Sequence, residues 1–85
     1  MPTLSMFYGI LIRMYYDDHN PPHIHAIYGD DEACYNFEGE VIEGNFPNKQ
    51  RKLVEAWIEI HKDELKANWK LAEEGEAFFK IEPLK

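Results

Sequence analysis

The sequence predicts an α+β fold, with a small antiparallel sheet of three to four strands followed by one long or two shorter helices packed on one face. Up to about Asn45 the chain alternates apolar and polar residues and is rich in aromatic and β-branched side chains, as strands are. Beyond "NFP" the apolar residues recur every three or four positions, which is the period of a helix. Because 85 residues of which 45% are hydrophobic suffice for one core, we expect a single domain over residues 1–85.

The first half of the chain predicts three of the strands. Strand one is expected at about Met6 to Tyr16, and the segment "HIHAIYGDDEACYNFEGE" predicts a hairpin with its loop at Gly29-Asp30 or Asp30-Asp31. A loop of two residues is favoured over one of three because it gives both strands a single apolar face. That face collects Ile24, Ala26, Tyr28, Ala33, Tyr35 and Phe37.

Two shorter segments are less regular. A turn at Glu38-Gly39 leads to the short strand "EVIEG", whose Ile42 is expected on the apolar face. The tail "EAFFKIEPLK" either docks on the core or pairs as an edge strand. Its apolar residues are Phe78, Phe79 and Ile81.

The helical half begins after the strands. Asn45 is expected to cap its start, with Pro47 in the first turn and Gly75 at the stop. A break near His61 would give two helices, the second capped by Asp63, and one long helix fits equally well. The apolar stripe comprises Leu53, Val54, Trp57, Ile58, His61, Leu65, Trp69 and Ala72.

The net charge of −7 lies in the first half. Up to Asn48 eight acidic residues face a single base, Arg13, whereas from Lys49 onward eight acids balance eight lysines and arginines. Such a surface repels a phosphate backbone and attracts cations or basic partners. Nucleic-acid binding is therefore disfavoured, and only the small basic cluster of Lys49, Arg51 and Lys52 supports it.

The compartment follows from cysteine usage and hydropathy. Cys34 is the only cysteine and the chain begins with no charged-then-apolar export signal, so a reducing cytoplasm fits best. The longest apolar run, Ile10 to Ile12, is far shorter than the roughly 20 residues that cross a bilayer. We expect no membrane partner, and an oligomer is compatible with the sequence.

The stretch "DDHNPPHIHA" holds three of the four histidines. His23 and His25 are two residues apart on a predicted strand, so both imidazoles project from the same side and can converge on one ion. His19 can fold back across the Pro-Pro loop. These three histidines, with Cys34 or an acidic residue as a further ligand, predict a site for a divalent transition metal such as zinc. The hairpin places Cys34 or Asn36 opposite His25, according to which turn forms.

Two other interpretations of the same residues stay open. His25 as general base or acid, with Arg13 or Tyr15 stabilising a phosphorane-like charge, would resemble a metal-free ribonuclease site. On that interpretation the catalytic residues are Arg13, His23 and His25. Alternatively, the histidines only fix a turn and form a solvated strand face. The fourth histidine, His61, is expected to be a partly buried, hydrogen-bonded core residue.

With these motifs in view, the chain resembles the bacterial family catalogued as domain of unknown function 4160. The resemblance covers an opening like "MPTLSMFYGILIRMYYDDHNPPHIHAIYGD", a middle "GEVIEGNFP", a helix "KLVEAWIEIHKDELKANW" and a close like "IEPL". Its most specific part is "DHNPPHIHA", with Arg13 and Met14 just upstream. Cys34 departs from the aliphatic or polar residue expected at that place, which weakens a zinc site that depends on it.

The resemblance implies a small protein whose activity is not established. Members are often encoded beside a protein of the family of unknown function 2442, an arrangement similar to a toxin and antitoxin pair. It therefore implies a partner-binding component of a toxin-antitoxin-like system, with a small protein partner encoded nearby and the histidine cluster as candidate site. The alternative is a metal-binding protein or a small hydrolase or ribonuclease-like enzyme that uses His19, His23 and His25.

Overall fold

The computed structural model describes residues 3–16 and 20–85. A five-stranded antiparallel sheet, in which the strands lie side by side in chain order, is followed by two helices. This confirms the α+β prediction with one strand more than expected. The elements are β1 (Thr3–Phe7), β2 (Ile10–Arg13), β3 (His23–Tyr28), β4 (Asp31–Asn36), β5 (Val41–Gly44), α1 (Asn48–Ile60) and α2 (Lys62–Glu73).

The extra strand comes from a turn inside the segment predicted to be strand one. Tyr8 and Gly9 adopt left-handed backbone angles, with φ of 48° and 78°, and Phe7 pairs with Ile10 across them. Two consecutive left-handed residues match the twist of a tight hairpin. The single strand predicted over residues 6–16 was therefore wrong, and its first part belongs to a β1–β2 hairpin.

The central hairpin forms as predicted. Tyr28 pairs with Asp31, so Gly29 and Asp30 make a two-residue loop. Ala26 then pairs with Ala33, and both are buried. The register confirms the predicted apolar face of β3 and β4.

The last strand differs in register from the prediction. Its pairing with β4 is irregular between Cys34 and Tyr35, and the shift places Val41 opposite Tyr35. Val41 packs against the core, whereas Ile42 is 43% exposed. The prediction that Ile42 lies on the apolar face was wrong, because one irregular step in the ladder exchanges the two faces.

The helical half consists of two helices that meet at His61, one of the two predicted arrangements. Pro47 occupies the position before α1, so the expected cap by Asn45 was wrong. Asp63 lies in the first turn of α2 instead of capping it, where its carboxylate still favours the helix dipole. Gly75 follows α2 with φ of 73°, as expected for a stop. Neither described helix is long and apolar enough to cross a membrane.

The core lies between the helices and one face of the sheet. Trp57 is fully buried, and its indole nitrogen donates to the Glu82 carbonyl at 2.8 Å. The buried apolar residues are Leu4, Phe7, Ile10, Ile12, Met14, Ile24, Ala26, Ala33, Tyr35, Phe37, Val54, Trp57, Ile58, Leu65, Trp69, Ala72 and Ile81.

The tail docks on the core without forming a strand. Ile81 is buried and its N–H donates to the Leu4 carbonyl at 2.9 Å. Asn68 is also buried, and its side chain bonds both the N–H and the carbonyl of Phe79. Phe78 is half-buried and Phe79 is exposed, so Ile81 is the main apolar anchor of the tail.

Candidate metal centre

A row of polar side chains crosses the sheet on the face away from the core. Arg13 on β2 pairs with His25 on β3, His25 pairs with Cys34 on β4, and Cys34 pairs with Glu43 on β5. Paired residues of neighbouring strands project to the same side of a sheet. The row therefore brings an imidazole and a thiol into contact, with a cation and a carboxylate at its two ends.

His23, His25 and Cys34 form a compact cluster of possible metal ligands. One ligand atom from each lies within 4.8 Å of those from the other two. The His25 Nδ1 to Cys34 Sγ distance is 3.4 Å, close to the about 3.5 Å that separates a nitrogen and a sulfur bound to one tetrahedral zinc ion. The widest pair of ligand atoms needs to close by about 1 Å on binding.

The orientation of His23 is set by the loop before β3. The Asn20–Pro21 peptide bond is cis, and the Pro21 carbonyl lies 2.7 Å from His23 Nδ1. A carbonyl oxygen only accepts, so Nδ1 carries the proton and Nε2 carries the lone pair of the neutral ring. A backbone carbonyl bonded to the far nitrogen is the usual support of a metal-binding histidine. The side chain is 4% exposed and packs 5.4 Å from the ring of Trp69.

His25 has a more open environment. Its side chain is 17% exposed, and its Nδ1 lies 3.6 Å from Glu32 Oε2 in addition to the contact with Cys34. The ring of Tyr15 meets the imidazole edge-on at 4.6 Å. His25 is therefore held from three sides while its nitrogen faces a thiol and a carboxylate.

A cavity of about 290 Å³ opens onto this part of the sheet. Its lining includes His25 and Cys34 of the cluster together with the carboxylates of Glu32 and Glu43. Two carboxylates beside an imidazole and a thiol attract a cation. They also repel a phosphate group, which makes the cavity a poor site for ribonuclease chemistry.

The other predicted site residues lie around the cluster or outside the described part. His19 belongs to residues 17–19, which are not among those the structure describes. Arg13 is half-buried beside His25, and its Nε is buried without a hydrogen-bond partner among the described residues. Its predicted role in acid–base catalysis stays a prediction. His61 is half-buried, bonded to Glu64, and its ring lies 5.4 Å from the tilted ring of Trp57, so it is the partly buried, hydrogen-bonded residue that was expected.

Cys34 was only an optional further ligand beside the predicted metal set of His19, His23 and His25, and the structure places it in the cluster. The sequence left two possible turns, and only the Gly29-Asp30 turn pairs Cys34 with His25. The alternation of residues along the hairpin already placed Cys34 on the same face as His23 and His25. What the sequence alone did not supply was the choice between the two turns.

Comparison with known families agrees with the resemblance described above. Residues 9–70 match a family model described as a domain of unknown function, DUF4160. No curated protein and no solved structure matches the chain.

Proposed function

This chain belongs to the DUF4160 family, and we propose that it is a metal-binding protein whose ion is held by His23, His25 and Cys34. The observation that carries the proposal is the convergence of two imidazoles and one thiol within 4.8 Å on one hairpin. Zinc binds nitrogen and thiolate ligands in tetrahedral sites, so this donor set fits Zn²⁺ best among common divalent ions.

Three protein ligands leave one position of a tetrahedral ion open. If the predicted ligand His19, which lies outside the described residues, fills that position, the site is a closed structural one. A water molecule or a substrate can fill it instead, and a zinc ion with an open position supplies an activated water for hydrolysis. The exposed edge of His25 and the adjoining cavity favour the open form.

Elemental analysis of the untagged protein, purified without chelator, tests the proposal. We expect near-stoichiometric zinc in the wild type and none in the His23→Ala/His25→Ala double variant. His61→Gln is the matched control, because it removes a histidine that lies outside the cluster. A wild-type protein that contains no metal and takes up none on addition would overturn the proposal.

Cobalt substitution tests the thiol ligand separately. A cobalt–thiolate bond gives a charge-transfer band in the near ultraviolet, and we expect Cys34→Ser to lose this band. If the band is absent in wild type while metal is bound, Cys34 is no ligand and the site depends on histidines alone.

We further propose that the protein is the partner-binding component of a cytoplasmic, bacterial, toxin-antitoxin-like pair, as the family resemblance implies. The outermost strand β5 favours it, since no further strand pairs with β5 among the described residues and Ile42 is 43% exposed there. An edge strand with an exposed apolar side chain is a common docking surface for a second chain.

Co-purification with the product of the neighbouring gene tests this second function. We expect Ile42→Lys to weaken the complex, while His23→Ala/His25→Ala leaves it intact. Loss of the complex only in the histidine double variant would place the interface at the cluster instead of at β5.

A further inference from the structure

A second cavity lies at the end of the sheet where α2 passes the loop before β3. Its volume is about 450 Å³, which lies within the range of small-molecule sites. The lining residues that matter here are Pro21, Pro22, Phe37, Lys66 and Trp69. We call it the Trp69 cavity. None of the three candidate metal ligands lines it.

The walls of the Trp69 cavity are flat, apolar and fixed in place. The rings of Phe37 and Trp69 meet at 86° with their centroids 6.2 Å apart, and both side chains are 6% exposed. Trp69 is held from another side by the ring of His23 at 5.4 Å. Two successive prolines form a stiff part of the rim, since their φ angles are locked. Such walls suit a planar apolar group, which can bind without rearrangement of the protein.

The polar groups at the rim leave one positive charge uncompensated. Glu38 Oε1 accepts a hydrogen bond from Lys62 Nζ at 3.0 Å, so these two charges offset each other. Asn36 Oδ1 accepts from two backbone N–H groups of the following turn. Lys66 forms no ion pair with another described residue. Its ammonium is therefore available to an anion.

Trp69 adds a second group that lacks a partner. Its indole nitrogen is buried and has no hydrogen-bond acceptor among the described residues. A buried donor without an acceptor destabilises the fold around it.

We propose that the Trp69 cavity binds a small molecule that has a flat apolar body and one anionic group. Phe37, Trp69 and the two prolines receive the flat body, and Lys66 pairs with the anion. The volume of the cavity, about 450 Å³, favours this small ligand over a peptide or a nucleic acid. The two sites meet where the ring of His23 contacts Trp69, but they share no residue, so the proposal does not depend on metal binding.

Nuclear magnetic resonance of the two indole N–H groups tests the proposal. The probes are naphthalene-2-sulfonate, which is anionic, and naphthalene-2-sulfonamide, its neutral counterpart. We expect the anionic probe to shift the Trp69 signal in a saturable way. The Trp57 signal is an internal control, since that indole already donates to the Glu82 carbonyl and lies outside the cavity. A Trp69→Phe variant assigns the two signals.

Two charge reversals separate the cavity from general electrostatics. We expect Lys66→Glu to weaken the sulfonate about fivefold and to leave the sulfonamide unchanged, as for one exposed ion pair. Lys52→Glu changes the net charge equally on an exposed position of α1, outside the cavity, and should change neither affinity. No saturable shift at Trp69, or equal affinity of both probes with no effect of Lys66→Glu, would overturn the proposal.

Discussion

At the scale of single residues, the candidate metal centre owes its shape to different constraints on its two imidazoles. His23 is nearly buried, and a backbone carbonyl decides which of its nitrogens carries the proton. His25 is fixed by its register opposite Cys34 and by the ring of Tyr15. The sequence predicted that the two histidines share a face, because alternation along a strand guarantees it. The bond from His23 to a backbone carbonyl agrees with the interpretation that a histidine after two prolines fixes a turn, whereas the loop path that makes the Pro21 carbonyl its partner is not shown by any pattern in the residues.

Tyr35 predicts an alkaline limit to stability. Burial, and to a lesser extent the nearby charge of Glu55, raise the pKa of Tyr35 to about 12, while Arg51 opposes the rise. The folded state therefore favours the neutral phenol. Below pH about 10 the phenol is neutral in both the folded and the unfolded chain, whereas between pH about 10 and about 12 it ionises more readily in the unfolded chain, so stability falls as the pH rises through that interval. We expect the free energy of unfolding to fall by about 1–2 kcal/mol over that interval, after allowance for solvent screening.

The variant Tyr35→Phe isolates this effect from the other tyrosines. The buried hydroxyl has no hydrogen-bond partner among the described residues, so its removal should be neutral or stabilise by up to about 1 kcal/mol at pH 7. Urea unfolding of both proteins at pH 7, 10 and 12 measures the difference. Parallel pH profiles for wild type and variant would show that the Tyr35 hydroxyl does not titrate with folding.

At the scale of secondary-structure elements, the sequence predicted the β3–β4 hairpin, whose two faces differ strongly in polarity. The strands β3 and β4 have one register that separates apolar from polar residues, and that register forms. In the segment containing Tyr8 and Gly9, the glycine is a sign of a turn, but the aromatic and β-branched residues around it favour one continuous strand. A tyrosine in a left-handed turn is unusual, and local propensity favours a strand there. Tertiary packing of β1 beside β2 overrides that propensity.

The β1–β2 turn contains a removable strain. Tyr8 has a φ of 48° and is 59% exposed, so its side chain contributes little burial to offset the left-handed backbone. Asparagine followed by glycine is the preferred pair in such a turn. We expect Tyr8→Asn to raise the free energy of unfolding by about 0.5–1 kcal/mol, measured by urea titration. A loss of stability in the variant would mean that the exposed tyrosine ring makes a stabilising contact.

Gly44 at the end of β5 is required by its close approach to β4. It has a φ of 85°, and an added Cβ would lie 2.3 Å from the Glu32 carbonyl oxygen. We expect Gly44→Ala to cost about 2–4 kcal/mol, because the ladder beside the candidate metal centre must open. Thermal unfolding of the variant measures the cost.

Gly29→Ala is the matched control for that experiment. Gly29 also has a positive φ, 60°, but an added Cβ would meet nothing within 4 Å. Gly29→Ala should lower the free energy of unfolding by only about 1 kcal/mol, the cost of a left-handed backbone at a residue that has a Cβ. Equal losses in the two variants would show that the contact with the Glu32 carbonyl is relieved by a small shift of β5.

At the scale of the whole molecule, the distribution of charge and the buried stripe of the helices were predictable from the sequence, whereas the candidate sites were predictable only in part. The excess of acidic residues in the first half places carboxylates beside the cluster, where Glu32 and Glu43 line the adjoining cavity. The helix stripe was read correctly, since Trp57, Leu65 and Trp69 are all buried. The Trp69 cavity was not predicted, because it is made by segments far apart in the chain. Only the packed fold brings Pro21, Phe37 and Trp69 to one place.

Metal binding should be visible in the stability of the entire domain. An ion that binds only the folded state, at a free concentration about one hundred times its Kd, adds about 2.7 kcal/mol. For a domain of this size that corresponds to a rise in Tm of about 10–20 °C. We expect zinc to produce this rise in wild type and in His61→Gln, and not in His23→Ala/His25→Ala. An equal rise in the double variant would place the bound ion elsewhere.

The candidate ligands share one further property, which follows from the central hairpin. His23, His25 and Cys34 all belong to residues 23–34, and the two-residue turn at Gly29-Asp30 fixes their register. The geometry therefore depends on strand pairing within one short stretch, together with the Pro21 carbonyl just before it, which orients His23. Such a motif is portable. Transplanted with its turn and with the two prolines that precede it into a hairpin of an unrelated antiparallel sheet, it should carry its three donor atoms along in the same arrangement.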